Sequence, residues 1–323
     1  MKRNIKYSVV VCTKDRKDVL QKSLNTLVEN LDYFSKFTEV LVVDQSKNDL
    51  TEKLIKKISF KYKKSNIKYI RSSSFGISIS RNIGIRNSSG DIVVFVDDDI
   101  LLPTNWIKVV DGVLEKNKSF DIFGGKIIPN IDIYKNHKYI SYILKDGCIW
   151  PYATCDLGNK VIKYPSKHTI FMVTATVVIR RHIFDQFGMF NESFGNLESK
   201  IKIAGGEDME FMYRLTKNKV KMMYHPEIKS THIISENRLS KWYLRKRFFN
   251  NGMERANLNR IYLSNSKNTK IIYKLITNTP FDIRKYFEEY LLKRDKNIVN
   301  ELNVYYTLGY LWCSLLFKIY RRN

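Results

Sequence analysis

Cysteine is scarce in this chain. Its 323 residues hold four (Cys12, Cys148, Cys155 and Cys313), with no CxxC pair and no Cys/His cluster of zinc spacing. That excludes a disulfide scaffold and a structural zinc module, and free thiols fit a reducing compartment. Acidic residues are also few: 32 Asp and Glu stand against 56 Lys and Arg, a formal net charge of +24. Long apolar runs are missing too. SVVVC, near the start, is too short for a secretory signal and runs straight into TKDR, so it reads as a first β-strand. Near the end, VYYTLGYLWCSLLFKIY falls slightly short of the ~20 residues a bilayer span needs and contains Thr307, Ser314 and Lys318. An interfacial or packed helix fits it better. No repeat or low-complexity linker interrupts the chain. What remains is a globular composition, 44% apolar and 13% aromatic, long enough for one large domain and an extension.

The basic excess points to an anionic partner: nucleic acid, an acidic lipid surface or a phosphate-bearing substrate. A general bias toward Lys, Asn and Ile accounts for part of it without any function. Nucleic acid is disfavoured because no binding motif is present and an acidic strand end, described below, would repel phosphate in the absence of a cation. Residues 237–323 hold 18 Lys and Arg against 6 Asp and Glu, half of the net charge in about a quarter of the length. Helical patterns dominate there.

The first hundred residues alternate between two periodicities. YSVVVC, EVLVVD, IKYI and DIVVFVDDD are apolar, β-branched strands. Helical stretches separate them at about Asp15–Asn30, Leu50–Phe60 and Ile77–Asn87. Near-continuous apolar strands belong to a parallel sheet covered by helices on both faces. Ligands of such sheets bind beyond the carboxyl ends of the strands. Three strands here end in polar clusters: Thr13-Lys14-Asp15-Arg16, Asp44-Gln45-Ser46 and Asp97-Asp98-Asp99. After Pro103 a helix (Trp106–Asn117) precedes DIFGG and an irregular stretch to about Lys167. HTIFMVTATVVIRR then reads as a strand, His182–Phe187 as a short helix, EDMEFMYRLTK as a helix and VKMMYHPEIKSTHII as a strand.

Three adjacent aspartates repel one another unless a cation or hydrogen-bond donors neutralise them. A helix cap explains one aspartate but not three. A hard divalent cation bridging carboxylate and diphosphate oxygens explains the set.

At this point the sequence resembles a known family. RSSSFGISISRNIGIRNSSGDIVVFVDDD is similar to the central block of family 2 glycosyltransferases, with Gly76, Arg81, Asn82, Gly84, Gly90 and Asp91 where that family places them. SVVVCTKDR resembles the family's first strand and turn, and Asp44 matches its second strand end, where Gln45 departs. The resemblance covers roughly residues 5–235. It implies a GT-A fold of α/β class, with a Rossmann-like, mostly parallel sheet flanked by helices and a C-terminal helical extension. It implies that Thr13, Asp15 and Arg16 contact the nucleoside, that Asp44 accepts from the base and that Arg81 faces the diphosphate. A surface salt bridge is the plainer reading of Arg81. The same resemblance gives Asp97 to the ribose, Asp98 to the donor sugar or its surroundings and Asp99 to Mg2+ or Mn2+.

GGEDMEFMYRL places Glu207 and Asp208 at a helix start, where the dipole alone favours acids. In inverting members of the family the aspartate of this motif is the general base, which implies that role for Asp208 and acceptor orientation for Glu207. Glu210 and Arg214, one turn apart, form a supporting ion pair. By the same resemblance Pro226 and His232 fit the spacing at which a histidine completes the metal shell. Thr174-Ala175-Thr176 replaces the family's Gly-x-Asn, so no acceptor contact is carried over there.

The expectation is therefore an inverting, metal-dependent glycosyltransferase. It would move a sugar from a nucleotide-sugar, UDP-linked because an acceptor at Asp44 favours a uracil-like imide N–H, to a glycan or lipid-linked glycan, as in cell-surface polysaccharide synthesis. Residues 1–236 would be catalytic, with a nucleotide-binding half to about 100 and an acceptor half beyond it. Residues 237–323 would be the basic helical extension, docking on an anionic membrane surface and placing a cytoplasmic protein at the inner face of the membrane. A nucleotidyltransferase would share the architecture but needs a glycine-rich loop after the first strand, and TKDRKD has no glycine. A non-catalytic sugar-binding relative would have no use for the acids and His232, all of which are present.

Overall fold

The computed structural model describes residues 6–34, 38–63, 66–130, 150–164, 174–195, 203, 205–263 and 298–320. The chain divides into two compact units, one of Met1–Asp132, Asp146–Glu198 and Glu207–Ile234, the other of Ile133–Lys145, Ser199–Gly206 and Ser235–Asn323.

In the first unit the strand–helix alternation is realised as β1 (Tyr7–Thr13), α1 (Lys17–Phe34), β2 (Thr38–Asp44), α2 (Leu50–Lys61), β3 (Asn66–Arg71), α3 (Ile77–Asn87) and β4 (Ile92–Val96). Strands β3, β2, β1 and β4 lie side by side and parallel. Alternate residues of each strand pack to opposite faces. Val9, Val11, Val40, Val42 and Val94 meet Leu20, Leu24 and Leu27 of α1 in one buried cluster. Val10, Leu41, Val43, Val93 and Phe95 meet Ile85 of α3 in another. Each such side chain gains about 1.5–3 kcal/mol by leaving water, which is why these strands read as unbroken apolar runs.

Beyond β4 the sheet is mixed. The elements are β5 (Ile100–Leu101), α4 (Trp106–Lys116), β6 (Ile122–Pro129), β7 (Ile162–Tyr164), β8 (Thr176–Arg180), α5 (His182–Phe187), α6 (Glu207–Lys217) and β9 (Met222–His232). The sheet continues β4-β8-β6-β9-β5, with β7 beside β9. Strand β8 runs antiparallel to both β4 and β6, and β6 and β9 are parallel. The strand expected from His168 to Arg181 begins only at Thr176, after a turn at 174–175; its first residues, 168–173, lie outside the described residues. The stretch expected to be irregular up to Lys167 contains β7. Strand β9 bulges where its register with β6 shifts between Gly125 and Lys126. Pro226, which has no N–H for the ladder, falls in the bulge. A Cβ on Gly125 would sit 1.7 Å from the Ile228 carbonyl oxygen, so only glycine fits beside the bulged strand.

At the amino end of β2 a carboxylate is buried. Glu39 accepts from Ser8 Oγ (2.6 Å), from the Ser89 N–H (2.6 Å) and from Lys68 Nζ (2.7 Å), tying β1, β3 and the α3–β4 turn together. Burial alone would raise its pKa, but Lys68 and the serine donors outweigh it and hold the carboxyl down at about 2. A lowered folded-state pKa stabilises above the unfolded value and loses that contribution as pH falls toward the folded one. Glu39→Gln is therefore expected to cost about 2 kcal/mol at neutral pH, and the deficit should shrink between the ordinary glutamate value, ~4.3, and pH 2. Denaturant unfolding at several pH values tests this; a deficit that does not change with pH would contradict it.

In the second unit α7 (Lys241–Leu263) packs along α8 (Ile298–Tyr320). A Cβ on Gly252 would lie 1.9 Å from the Tyr306 carbonyl oxygen, and one on Gly309 would lie 1.9 Å from that of Phe249. The two backbones touch at these glycines. Arg245 pairs with Glu301 near the start of α8, and Arg260 covers the Phe317 ring near its end. The helices therefore run in the same direction. Among the described residues no helix is long and apolar enough to cross a membrane. Cys12, Cys155 and Cys313 carry free thiols; burial pushes those of Cys12 and Cys313 up to about 12, so they are packing groups at neutral pH.

Candidate active site

The parallel register brings the strand ends together. Thr13 closes β1 opposite Asp44, the last residue of β2, and Asp97-Asp98-Asp99 follows β4 directly. The first turn hooks onto the third. Arg16 spreads its guanidinium across two carboxylates, Nη1 at 2.5 Å from Asp98 and Nη2 at 2.8 Å from Asp99. Thr13 Oγ donates to the other oxygen of Asp98 at 2.7 Å. Asp98 is thus buried with both oxygens engaged. Burial pushes its carboxyl up to about 7 despite Arg16.

The second turn is linked to the first. The Asp15 N–H, at a residue with φ of 53°, donates to Ser46 Oγ. Ser46 in turn donates its hydroxyl and its N–H to Asp44 Oδ1, at 2.5 and 2.9 Å. Tyr69 donates to Asp44 Oδ2 at 3.0 Å. Asp44 is 0% exposed, with both oxygens already accepting from Ser46 and Tyr69. Gln45, where the family pattern is broken, donates to the carbonyls of Ser74 and Gly76 and braces the turn before α3. Gly76 itself has φ of 149°, a conformation that side chains rarely adopt.

Strand β9 supplies the histidine. His232 pairs with Ile100 of β5, which places it beside Asp99, and the Ile233 N–H donates to the Asp99 carbonyl. His232 Nε2 lies 3.1 Å from Asp99 Oδ1, while Nδ1 donates to the Tyr152 carbonyl at 2.6 Å. A carbonyl only accepts, so the Nδ1 proton is fixed and the lone pair of a neutral ring is at Nε2. A lone pair facing a carboxylate is repulsive unless a proton or a cation stands there. Carboxylate oxygen, imidazole nitrogen with a carbonyl behind it, and open neighbouring space at the one-third exposed Asp97 side chain fit a hard divalent ion. Among the described residues no three His, Cys, Asp or Glu side chains gather to cage one alone, so diphosphate oxygens and water would complete its shell. Burial raises the Asp99 carboxyl, but His232 and then Arg16 overcome it and hold it well below the usual range.

Arg81 lies at the centre of the site. It is 3% exposed, with Nη1 at 2.7 Å from Glu207 and Nη2 at 3.4 Å from Asp97. The rings of Phe95 and Phe190 flank its guanidinium at 5.9 and 5.3 Å. Its surroundings are carboxylates and aromatic rings. Asp208 also contributes to its field. Glu207 and Asp208 open α6. Glu207 is buried against Arg81, whereas Asp208 is half-buried and accepts the Met209 N–H at 2.7 Å. One turn on, Glu210 holds Arg214 at 2.9 Å, and Arg214 donates to the Met189 carbonyl at 2.8 Å, pinning the loop after α5. That ion pair is the one the i, i+4 spacing predicts.

Sequence reasoning missed Tyr69, Phe190 and Tyr152, and named Ser46 only as part of the polar cluster at the second strand end. Tyr152 acts through a backbone carbonyl, which leaves no trace in the sequence. Tyr69 alternates along β3 with exposed residues, and that pattern was the one available signal.

The mixed sheet flanked by helices has the GT-A fold of glycosyltransferases, as its family model and solved neighbours show. The chain belongs to glycosyl transferase family 2, whose family model matches residues 8–188. Over 198 residues it is 25% identical to an uncharacterized glycosyltransferase of Mycoplasma genitalium, covering 59% of this chain and 60% of that one. It is also 30% identical over 120 residues to glycosyltransferase AglE of Haloferax volcanii, covering 37% and 38% respectively. The chain thus spans about 60% or less of the length of these relatives. Among solved structures it resembles a mannosyltransferase of Pyrobaculum calidifontis in complex with GDP-Man and Mn2+. That match has a TM-score of 0.61 at 11% identity and covers 100% of this chain and 89% of that one. Staphylococcus aureus TarS, residues 1–349, matches with a TM-score of 0.51 at 16% identity, covering 97% and 91%.

Proposed function

We propose that this glycosyltransferase is an inverting, metal-dependent enzyme. It moves a sugar from a nucleotide-sugar, UDP-linked in the simplest reading, to a hydroxyl of a glycan or lipid-linked glycan during cell-surface polysaccharide synthesis. The observation that carries the reading is the Asp99–His232 pair, a carboxylate and a carbonyl-backed imidazole side by side at the strand ends. Asp99 and His232 would hold Mg2+ or Mn2+. When bound, that ion neutralises charge on the departing diphosphate. Asp97, the partly open carboxylate, binds the ribose. Thr13, Asp15 and Arg16 shape the nucleoside side, with Asp98 as the anchor that Arg16 and Thr13 grip. Asp44 acts on the base through Ser46 and Tyr69.

Asp208 is the acceptor's base. Half-buried and at a helix N-terminus, it takes the proton of the attacking hydroxyl as that oxygen reaches the anomeric carbon from the face opposite the diphosphate. Glu207, fixed by Arg81, orients the acceptor. The division into a catalytic segment, 1–236, and a basic extension, 237–323, is part of the same reading. So is a cytoplasmic protein held at the inner membrane face. GDP-Man with Mn2+ in one fold neighbour and UDP with Mn2+ in another, GalNAc-T7, set which donors to test first. A screen of UDP-, GDP- and dTDP-sugars with Mg2+ or Mn2+ is expected to find one hydrolysed or transferred. Turnover of that donor at full rate in excess chelator would contradict the metal role.

A further inference from the structure

The last helix presents apolar side chains on both sides. Gly309 and Cys313 of α8 are buried against α7, and Leu302 is buried as well. On the opposite side Leu308, Leu311, Trp312, Leu315 and Ile319 are each 47–51% exposed. Their spacing of three and four residues makes one stripe three turns long. Isolated exposed leucines are ordinary, but five large apolar groups in line mark a surface that is covered in use.

Charge decides what covers it. Lys318 is exposed beside Ile319, and the sequence runs on into Arg321 and Arg322. Residues 237–323 carry 18 basic against 6 acidic side chains. A second copy docking through this face would set one strongly basic segment against another. An anionic bilayer surface has the complementary charge and accepts a helix that is apolar on one side yet too polar to cross. Trp312, amid the leucines, suits the headgroup level.

We propose that the exposed face of α8, from Leu308 to Ile319, seats in the headgroup layer of an anionic lipid bilayer, with basic residues around it supplying the attraction. This turns the general expectation of a basic membrane-facing extension into one defined surface. It does not depend on the donor, the metal or the base.

The full-length protein should float with phosphatidylcholine vesicles containing about one third phosphatidylglycerol. It should bind pure phosphatidylcholine at least ~10-fold more weakly and be released from the anionic vesicles by high salt. Leu311→Gln with Leu315→Gln is expected to reduce flotation ~10-fold or more while leaving thermal unfolding and donor turnover unchanged, since both side chains are about half exposed and neither is among the residues placed in the catalytic machinery. As a second variant, Trp312→Phe should remove the vesicle-induced blue shift in tryptophan emission. Failure of the native protein to bind anionic vesicles would overturn the proposal, and so would full binding by the double variant. A native dimer that the double variant converts to monomer would overturn it in favour of a second copy. Lost transfer with intact vesicle binding would count against the catalytic reading alone.

Discussion

Asp208→Asn is expected to lower transfer about 100- to 10,000-fold, the usual contribution of a general base, while nucleotide-sugar binding changes little. Asparagine keeps the size of the side chain and an oxygen for the Met209 N–H that Asp208 now accepts, so the helix start should survive. The adjacent Glu207 is a poor substitute, because its Oε1 is committed to Arg81 at 2.7 Å in a buried pair. The fall should appear in kcat, with the donor KM within a few-fold of native, because a proton acceptor acts in the transition state rather than in donor binding. Full transfer by Asp208→Asn would move the base to another residue without disturbing the family assignment.

Arg81→Met should be the most destabilising single change at the site. Removing the guanidinium leaves the buried Glu207 without the cation at 2.7 Å and Asp97 without its nearest one. Breaking a buried pair from one side costs about 3–5 kcal/mol, and loss of contact with Phe95 and Phe190 adds to it. Arg81→Lys keeps the charge but not the fork and can serve only one carboxylate, so an intermediate loss is expected. Glu207→Gln combined with Arg81→Met should cost much less than the sum of the two singles. Denaturant unfolding of the four proteins measures this. Additive losses would mean that the pair is not coupled.

The first half of this fold is legible because strands covered on both faces must be apolar, as the centres of β1, β2 and β4 are, while β3 at the sheet edge mixes exposed and half-buried residues. The half after β4 is less so. Nothing in TVVIR distinguishes an antiparallel neighbour of Val93 from a parallel one, and β5 and β7 are too short to show a period. Within the site, three aspartates in a row announce themselves by their mutual repulsion, and the Asp99 partner at β9 follows only from the family spacing to His232. Arg81 shows where residue type stops being informative. An arginine beside acidic motifs suits a phosphate, yet its contacts are two aromatic rings and two carboxylates, brought from sequence positions 95, 190, 97 and 207. Asp44 is similar: its match to the family was visible, and the inward hydrogen bonds from Ser46 and Tyr69 were not.

The central claim is that Asp99 and His232 bind a divalent ion that in turn binds the nucleotide. Calorimetric titration of UDP and GDP into the protein, with Mn2+ and with chelator, tests it most directly. Binding of one nucleotide should strengthen at least ~10-fold with Mn2+ in the native protein, and Asp99→Asn and His232→Gln should each abolish that gain. Equal affinity with and without Mn2+, or a gain that survives both substitutions, would contradict it.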